Sequence, residues 1–100
     1  MMQWLAGQRK KNMVDMKEII SRMFEEKADF YTYLDMYKES HNEIFIRLAE
    51  AEGDHYKMLY DLAFKEPSTT AKEEALHSYA QEVYNDMLLY LKEIKSTGAK

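Results

Sequence analysis

Four side chains in this sequence have the types and spacing to hold a hard metal ion: Glu26, Glu52, His55 and Glu82. Glu52 and His55 form a Glu-x-x-His pair, which a helix sets one turn apart on one face. Glu26 falls in the helically spaced series Ile19, Met23, Glu26, Phe30, Tyr33, Tyr37. Glu52 and His55 fall in a second, Phe45, Leu48, Glu52, His55, Leu59, Leu62. An ionised carboxylate between such large apolar neighbours is costly unless it is paired, neutralised or bound to a cation. Helix-borne carboxylates with Glu-x-x-His are the ligands from which bundles build di-iron and di-manganese centres. Oxygen donors with a single imidazole suit iron or manganese better than copper or a structural zinc.

Helices must bring these groups together, and three capping-box patterns predict where the helices begin. Asp15 with Glu18, Ser40 with Glu43 and Thr70 with Glu73 each pair a capping side chain with an acid three residues on. The expected helices run over about 16–37, 41–64 and 71–94, in a single domain spanning 1–100. Pro67 marks the second connection, and Gly98 the stop after the third helix. The first connection, near Lys38 and Glu39, has neither Gly nor Pro, so one rod of about 50 residues is the alternative to a hairpin. Such a rod needs a partner along its whole length, which favours the hairpin.

A turn near Glu39 leaves Glu26 thirteen residues before it and Glu52 thirteen after it, so antiparallel packing sets both at one level. The third series, Leu76, Ala80, Val83, Met87, Tyr90, Ile94, is an ordinary core. Glu82 lies at a suitable depth on that helix, but in line with Ala75, Tyr79 and Asp86 at the flank of the stripe. It ranks below the other three. A dinuclear centre of this kind takes four carboxylates and two histidines, of which one hairpin supplies half. A two-fold dimer brings a second Glu26, Glu52 and His55 to the same place, so a homodimer or higher oligomer is expected.

The stretch from Phe24 to Leu34 (FEEKADFYTYL), followed by Ile46 to Leu59 (IRLAEAEGDHYKML), resembles the first two helices of rubrerythrin and ferritin-like proteins. There the first helix gives a metal-ligating Glu with a Tyr about two turns later, and the second reads roughly Leu-Ala-x-x-Glu-x-x-His-x-x-x-Leu. Glu52 and His55 match the second motif with its flanks. The Glu-to-Tyr spacing is met by Glu26 and Tyr33, whereas an Ala three residues after the Glu favours Glu25. Periodicity favours Glu26, because Glu25 lines up with Ser21, Arg22 and Thr32. The resemblance covers about half of the chain. The second half departs from it, with no further Glu-x-x-His and one helix fewer than a ferritin-like subunit has. Members with a single such hairpin, the encapsulated ferritins, assemble the di-iron site across a dimer.

The caps and apolar series predict an all-α, three-helix fold, a long antiparallel hairpin plus a third helix, and the resemblance implies that this bundle is ferritin-like and completed by dimerisation. It implies iron, or manganese, as cofactor, and iron oxidation or reduction of peroxide or dioxygen as activity. The alternative is a non-catalytic helical interaction or structural module with a degenerate metal site. Whether the chain is an enzyme stays open.

Composition bounds the rest. With 100 residues, 46% apolar and 32% charged, the chain fits one folded domain with a modest core. Eight Met and eight Tyr against three Gly and one Pro favour helices and a surface that packs on a partner. A net charge of −4 argues against nucleic acid, and Arg9-Lys10-Lys11 is too short to overturn that. The absence of Cys excludes disulfides and thiolate sites, rubredoxin-type iron among them. No run approaches the roughly 20 apolar residues of a membrane span, and residues 1–7 are too short and broken to serve as the apolar h-region of a secretory leader. A cytoplasmic location is the default expectation.

The remaining side chains of interest have bland readings beside the sharp ones. Tyr33, Tyr56 and Tyr79 are either partners beside a metal or plain core, core being expected for two of the three. His41 and His77 read as surface or cap residues, and the methionines as gap-fillers. Gly53 marks either a close backbone approach or a tolerated surface glycine. Trp4 and Leu5 with the basic cluster form an amphipathic arm or a terminus docked on the bundle.

Overall fold

The computed structural model describes the backbone of residues 2–67 and 69–98, and the side chains of 17–67 and 69–97. Three helices follow one another: α1 over Met2–Ser40, α2 over Ile44–Ala63 and α3 over Ala71–Gly98. There is no strand among the described residues. Helices α1 and α2 pack as an antiparallel hairpin, and α3 returns along both. Tyr60 faces His77, and Glu50 meets Lys95, so α3 runs antiparallel to α2. Phe24 faces Tyr79 and Tyr31 faces Tyr90, so α3 runs parallel to α1. None of these helices is long and apolar enough to cross a membrane.

The first helix begins far ahead of the expected start. The Asp15–Glu18 pattern lies inside α1, because residues 8–14 hold no proline or glycine to stop a helix and are mostly straight-chain residues. Asp15, the basic cluster, Trp4 and Leu5 have side chains outside the described residues. At 39 residues α1 spans about 58 Å, against about 30 Å for the 20 residues of α2. Its first half therefore runs past the hairpin, and the molecule measures 61 Å along its longest axis.

The turn is made without glycine or proline. His41 takes a positive φ of 59°, and its N–H donates to the Tyr37 carbonyl at 2.7 Å, which closes α1 in a left-handed cap. The expected Ser40–Glu43 box does not form, since Glu43 makes no side-chain cap bond. Asn42 caps α2 instead, its Oδ1 accepting from the Ile44 N–H at 3.1 Å. Ser40 Oγ accepts from the Asn42 N–H and donates to the Met36 carbonyl, knitting the turn. At α3 the predicted cap is present: Thr70 Oγ1 accepts from the Glu73 N–H at 3.1 Å. The Glu73 carboxylate reaches back to the N–H of Thr69, one residue before the capping position.

The core consists of Met23, Phe30, Leu34 and Tyr37 from α1, Ala49, Tyr56 and Ala63 from α2, and Ala80, Val83, Met87 and Ile94 from α3. Helices α1 and α3 bury the faces their periodicity predicts, with Leu34 added. Helix α2 does not. Its inward stripe is Phe45, Ala49, Glu52, Tyr56, Leu59, Ala63, while a second stripe, Ile44, Leu48, Ala51, His55, Met58, Leu62, looks outward. The expected series mixed the two. Small Ala49 and Ala63 let neighbouring helices approach closely, and the larger Met58 and Leu62 are left 62% and 58% exposed.

Candidate metal centre

Glu26 is held on α1 between fully buried Met23 and Phe30, so its backbone is fixed by two core anchors one turn away. Glu52 belongs to the inward stripe of α2 and His55 to the outward one, which places Glu52 at the α1–α2 seam and His55 at its rim. Each of Glu26, Glu52 and His55 offers a ligand atom, and these three atoms lie within 4.8 Å of one another. Glu26 Oε2 stands 3.8 Å from His55 Nδ1, and the two side chains are 17% and 58% exposed. Glu52 Oε2 is buried with no hydrogen-bond partner. A carboxylate oxygen desolvated in this way is costly without a partner, and a cation would supply one.

Glu26 and Glu52 meet across the hairpin, but not at the equal depths expected from a turn near Glu39: Glu26 stands fourteen residues before the end of α1 at Ser40, and Glu52 eight after the start of α2 at Ile44. Glu26 and not Glu25 joins the cluster. Glu25 is exposed and lines a surface depression with Glu18, Ile19, Ser21, Arg22 and Leu59. Glu82 is not brought to the cluster. It is exposed and faces a separate depression between α1 and α3, beside Lys27, Tyr31, Tyr79 and Asp86, because the flank of the α3 stripe looks away from the α1–α2 seam.

The three tyrosines divide. Tyr56 is wholly buried and donates to the Ala80 carbonyl at 2.8 Å, Tyr33 is half-buried and Tyr79 is exposed. Burial pushes the Tyr56 phenol up to about 12. His77 is more than the surface residue expected: its ring stacks on Phe64 at 4.5 Å, with Nε2 2.6 Å from the Tyr60 hydroxyl. That contact ties the start of α3 to the end of α2, and only its position one stripe-width from Leu76 could have signalled it. Gly53 has open space where a Cβ would stand, so within one chain it marks no close approach.

No family model, no curated protein and no solved structure matches the chain. The cluster itself is therefore the guide to function. Two carboxylates and one imidazole from two helices converge here, with the imidazole at the exposed rim of α2. Those residue types fit iron or manganese.

Proposed function

We propose that this protein is a ferritin-like di-metal protein whose centre is completed by a second copy of the chain, and that it handles iron oxidation or the reduction of peroxide or dioxygen. The observation that carries the reading is the Glu26–Glu52–His55 cluster with its unpartnered buried oxygen. The outward stripe of α2 supports the second copy. Ile44, Leu48, Ala51, His55, Met58 and Leu62 recur at alternating steps of four and three, the spacing of a helix-pairing seam. His55 stands mid-stripe, so a two-fold axis near it joins two such clusters. Doubling the cluster gives four carboxylates, whose charge balances two divalent ions.

Iron or manganese bound there would supply one-electron redox chemistry at hard oxygen donors. The chain's own part is to fix the ligands. Phe30 and Met23 hold Glu26 in register, and the half-buried seam keeps bulk water from Glu52. His55 completes the cluster at the rim, where the partner's cluster would join it.

The rival reading is a non-catalytic helical interaction module with a degenerate site, and the same exposed stripe is what favours it. Anaerobic Fe(II) titration of the wild type beside E52A/H55A, followed by exposure to oxygen or peroxide, separates the two. Specific Fe(II) uptake and oxidation, both lost in the double variant, are expected. A folded wild type indifferent to Fe(II) and to chelator leaves only the module.

A further inference from the structure

The outward stripe of α2 carries Ile44, Leu48, Met58 and Leu62, whereas the inward stripe carries Ala49, Glu52 and Ala63 among larger residues. Apolar burial alone would turn the richer stripe inward. Something else fixes the rotation of α2. Tyr56 is the residue suited to it: adjacent in sequence to His55, four residues after Glu52, and with no exposed surface. Its hydroxyl donates to the Ala80 carbonyl of α3 at 2.8 Å, and its ring lies parallel to that of Tyr84, 5.9 Å away. Among the described residues no other side-chain hydrogen bond is fully buried. The other polar links from α2 to α3, Glu50 to Lys95 and Tyr60 to His77, lie nearer its two ends.

We propose that Tyr56 is a positioning residue for the metal centre, which uses α3 to set the rotation of α2 and so the placing of Glu52 and His55. The inference rests on the di-metal reading. A buried phenol needs a partner, and a rotation that takes Tyr56 off Ala80 strands its hydroxyl. The leverage is large. An atom about 6 Å from a helix axis moves roughly 2 Å when the helix turns by about 20°. Metal ligands tolerate errors of only about 0.2 Å in distance. Helix α3, which contributes no residue to the cluster, thereby acts as the brace that keeps Glu52 at the seam and His55 at the rim.

The test uses Co(II) as probe, with wild type, Tyr56→Phe and Ile94→Val. Phenylalanine keeps the ring and its stacking on Tyr84 while removing the hydroxyl. Ile94 is a core residue about 21 Å along α3 from Ala80, so its trimming lowers stability without touching the pin. Both variants are expected to melt several degrees lower than wild type. Tyr56→Phe should bind Co(II) about tenfold more weakly, with an altered visible d–d spectrum, as for loss of an outer contact that orients ligands. Ile94→Val should keep the wild-type affinity and spectrum. If Tyr56→Phe binds with wild-type affinity and spectrum despite its lower Tm, the residue only stabilises the core and the inference falls. It also falls if Ile94→Val loses as much affinity. A wild type that takes up no Co(II) overturns the di-metal reading first, and the inference with it.

Discussion

Replacing Glu52 with leucine should stabilise the metal-free protein and reverse that order once metal is present. Glu52 Oε2 is buried without a hydrogen-bond partner, on a helix face that otherwise packs Phe45, Ala49, Tyr56 and Leu59. An unsatisfied buried polar atom costs about 1–3 kcal/mol. Leucine has a similar volume and no polar group, so a gain of about 1 kcal/mol is a conservative expectation. For a domain of this size that is a rise in Tm of about 4–8 °C in chelator. Free metal at a hundred times its dissociation constant adds about 2.7 kcal/mol to a protein that binds it only when folded. Wild type in excess Mn(II) should therefore overtake E52L by more than 1 kcal/mol, while E52L, short of a ligand, barely responds. Thermal melts of both proteins with chelator and with Mn(II) give the four values required. E52L melting lower in chelator would mean that the oxygen has a partner and the cost is illusory. A wild type unmoved by Mn(II) would remove the metal from the account.

Three further substitutions test the frame around the site. His41 sits at φ 59°, where a side chain is strained, so His41→Gly should raise stability by about 1 kcal/mol in denaturant melts, a loss instead pointing to the ring's contact with Tyr37. Gly53 lies within α2 with open space at its Cβ position, and Gly53→Ala should gain roughly 0.5–1 kcal/mol by the same assay. Tyr56, its phenol pushed up to about 12 by burial, keeps in the fold a proton that the unfolded chain releases near pH 10. Its contribution is whole below pH 10 and is lost as the pH rises towards 12, so alkaline melts should fall more steeply for wild type than for Tyr56→Phe. Tyr31 and Tyr60, raised by burial in the same direction, leave a shallower slope in the variant.

The helices differ in how plainly the sequence announces them. Helix α3 packs one face on the hairpin, and its stripe from Leu76 to Ile94 can be read directly from apolar spacing. Helix α2 has two overlapping stripes one residue apart, and periodicity cannot say which faces in, because that depends on Ala49, Ala63 and the Tyr56–Ala80 bond across to α3. Antiparallel pairing about a turn placed near Glu39 was enough to bring Glu26 and Glu52 together, although the turn lies at residues 41–43 and the two stand at unequal distances from it. The choice of Glu26 over Glu25 follows from a rotation of 100° about α1, which the Met23–Phe30 spacing fixes. Local caps were the weakest signals: an acid three residues after Asp15 or Ser40 is also what an uninterrupted helix or an Asn42 cap permits. The left-handed His41 had no sequence mark, since nothing in its neighbours demands a positive φ there.

The proposed centre holds two metal ions shared between two chains. Native mass spectrometry of protein loaded anaerobically with Fe(II) counts both at once. A dimer carrying two iron ions, with E52A/H55A metal-free under the same conditions, is the predicted result. A folded chain that stays metal-free, or a lone chain that binds an ion with no second copy, would contradict it.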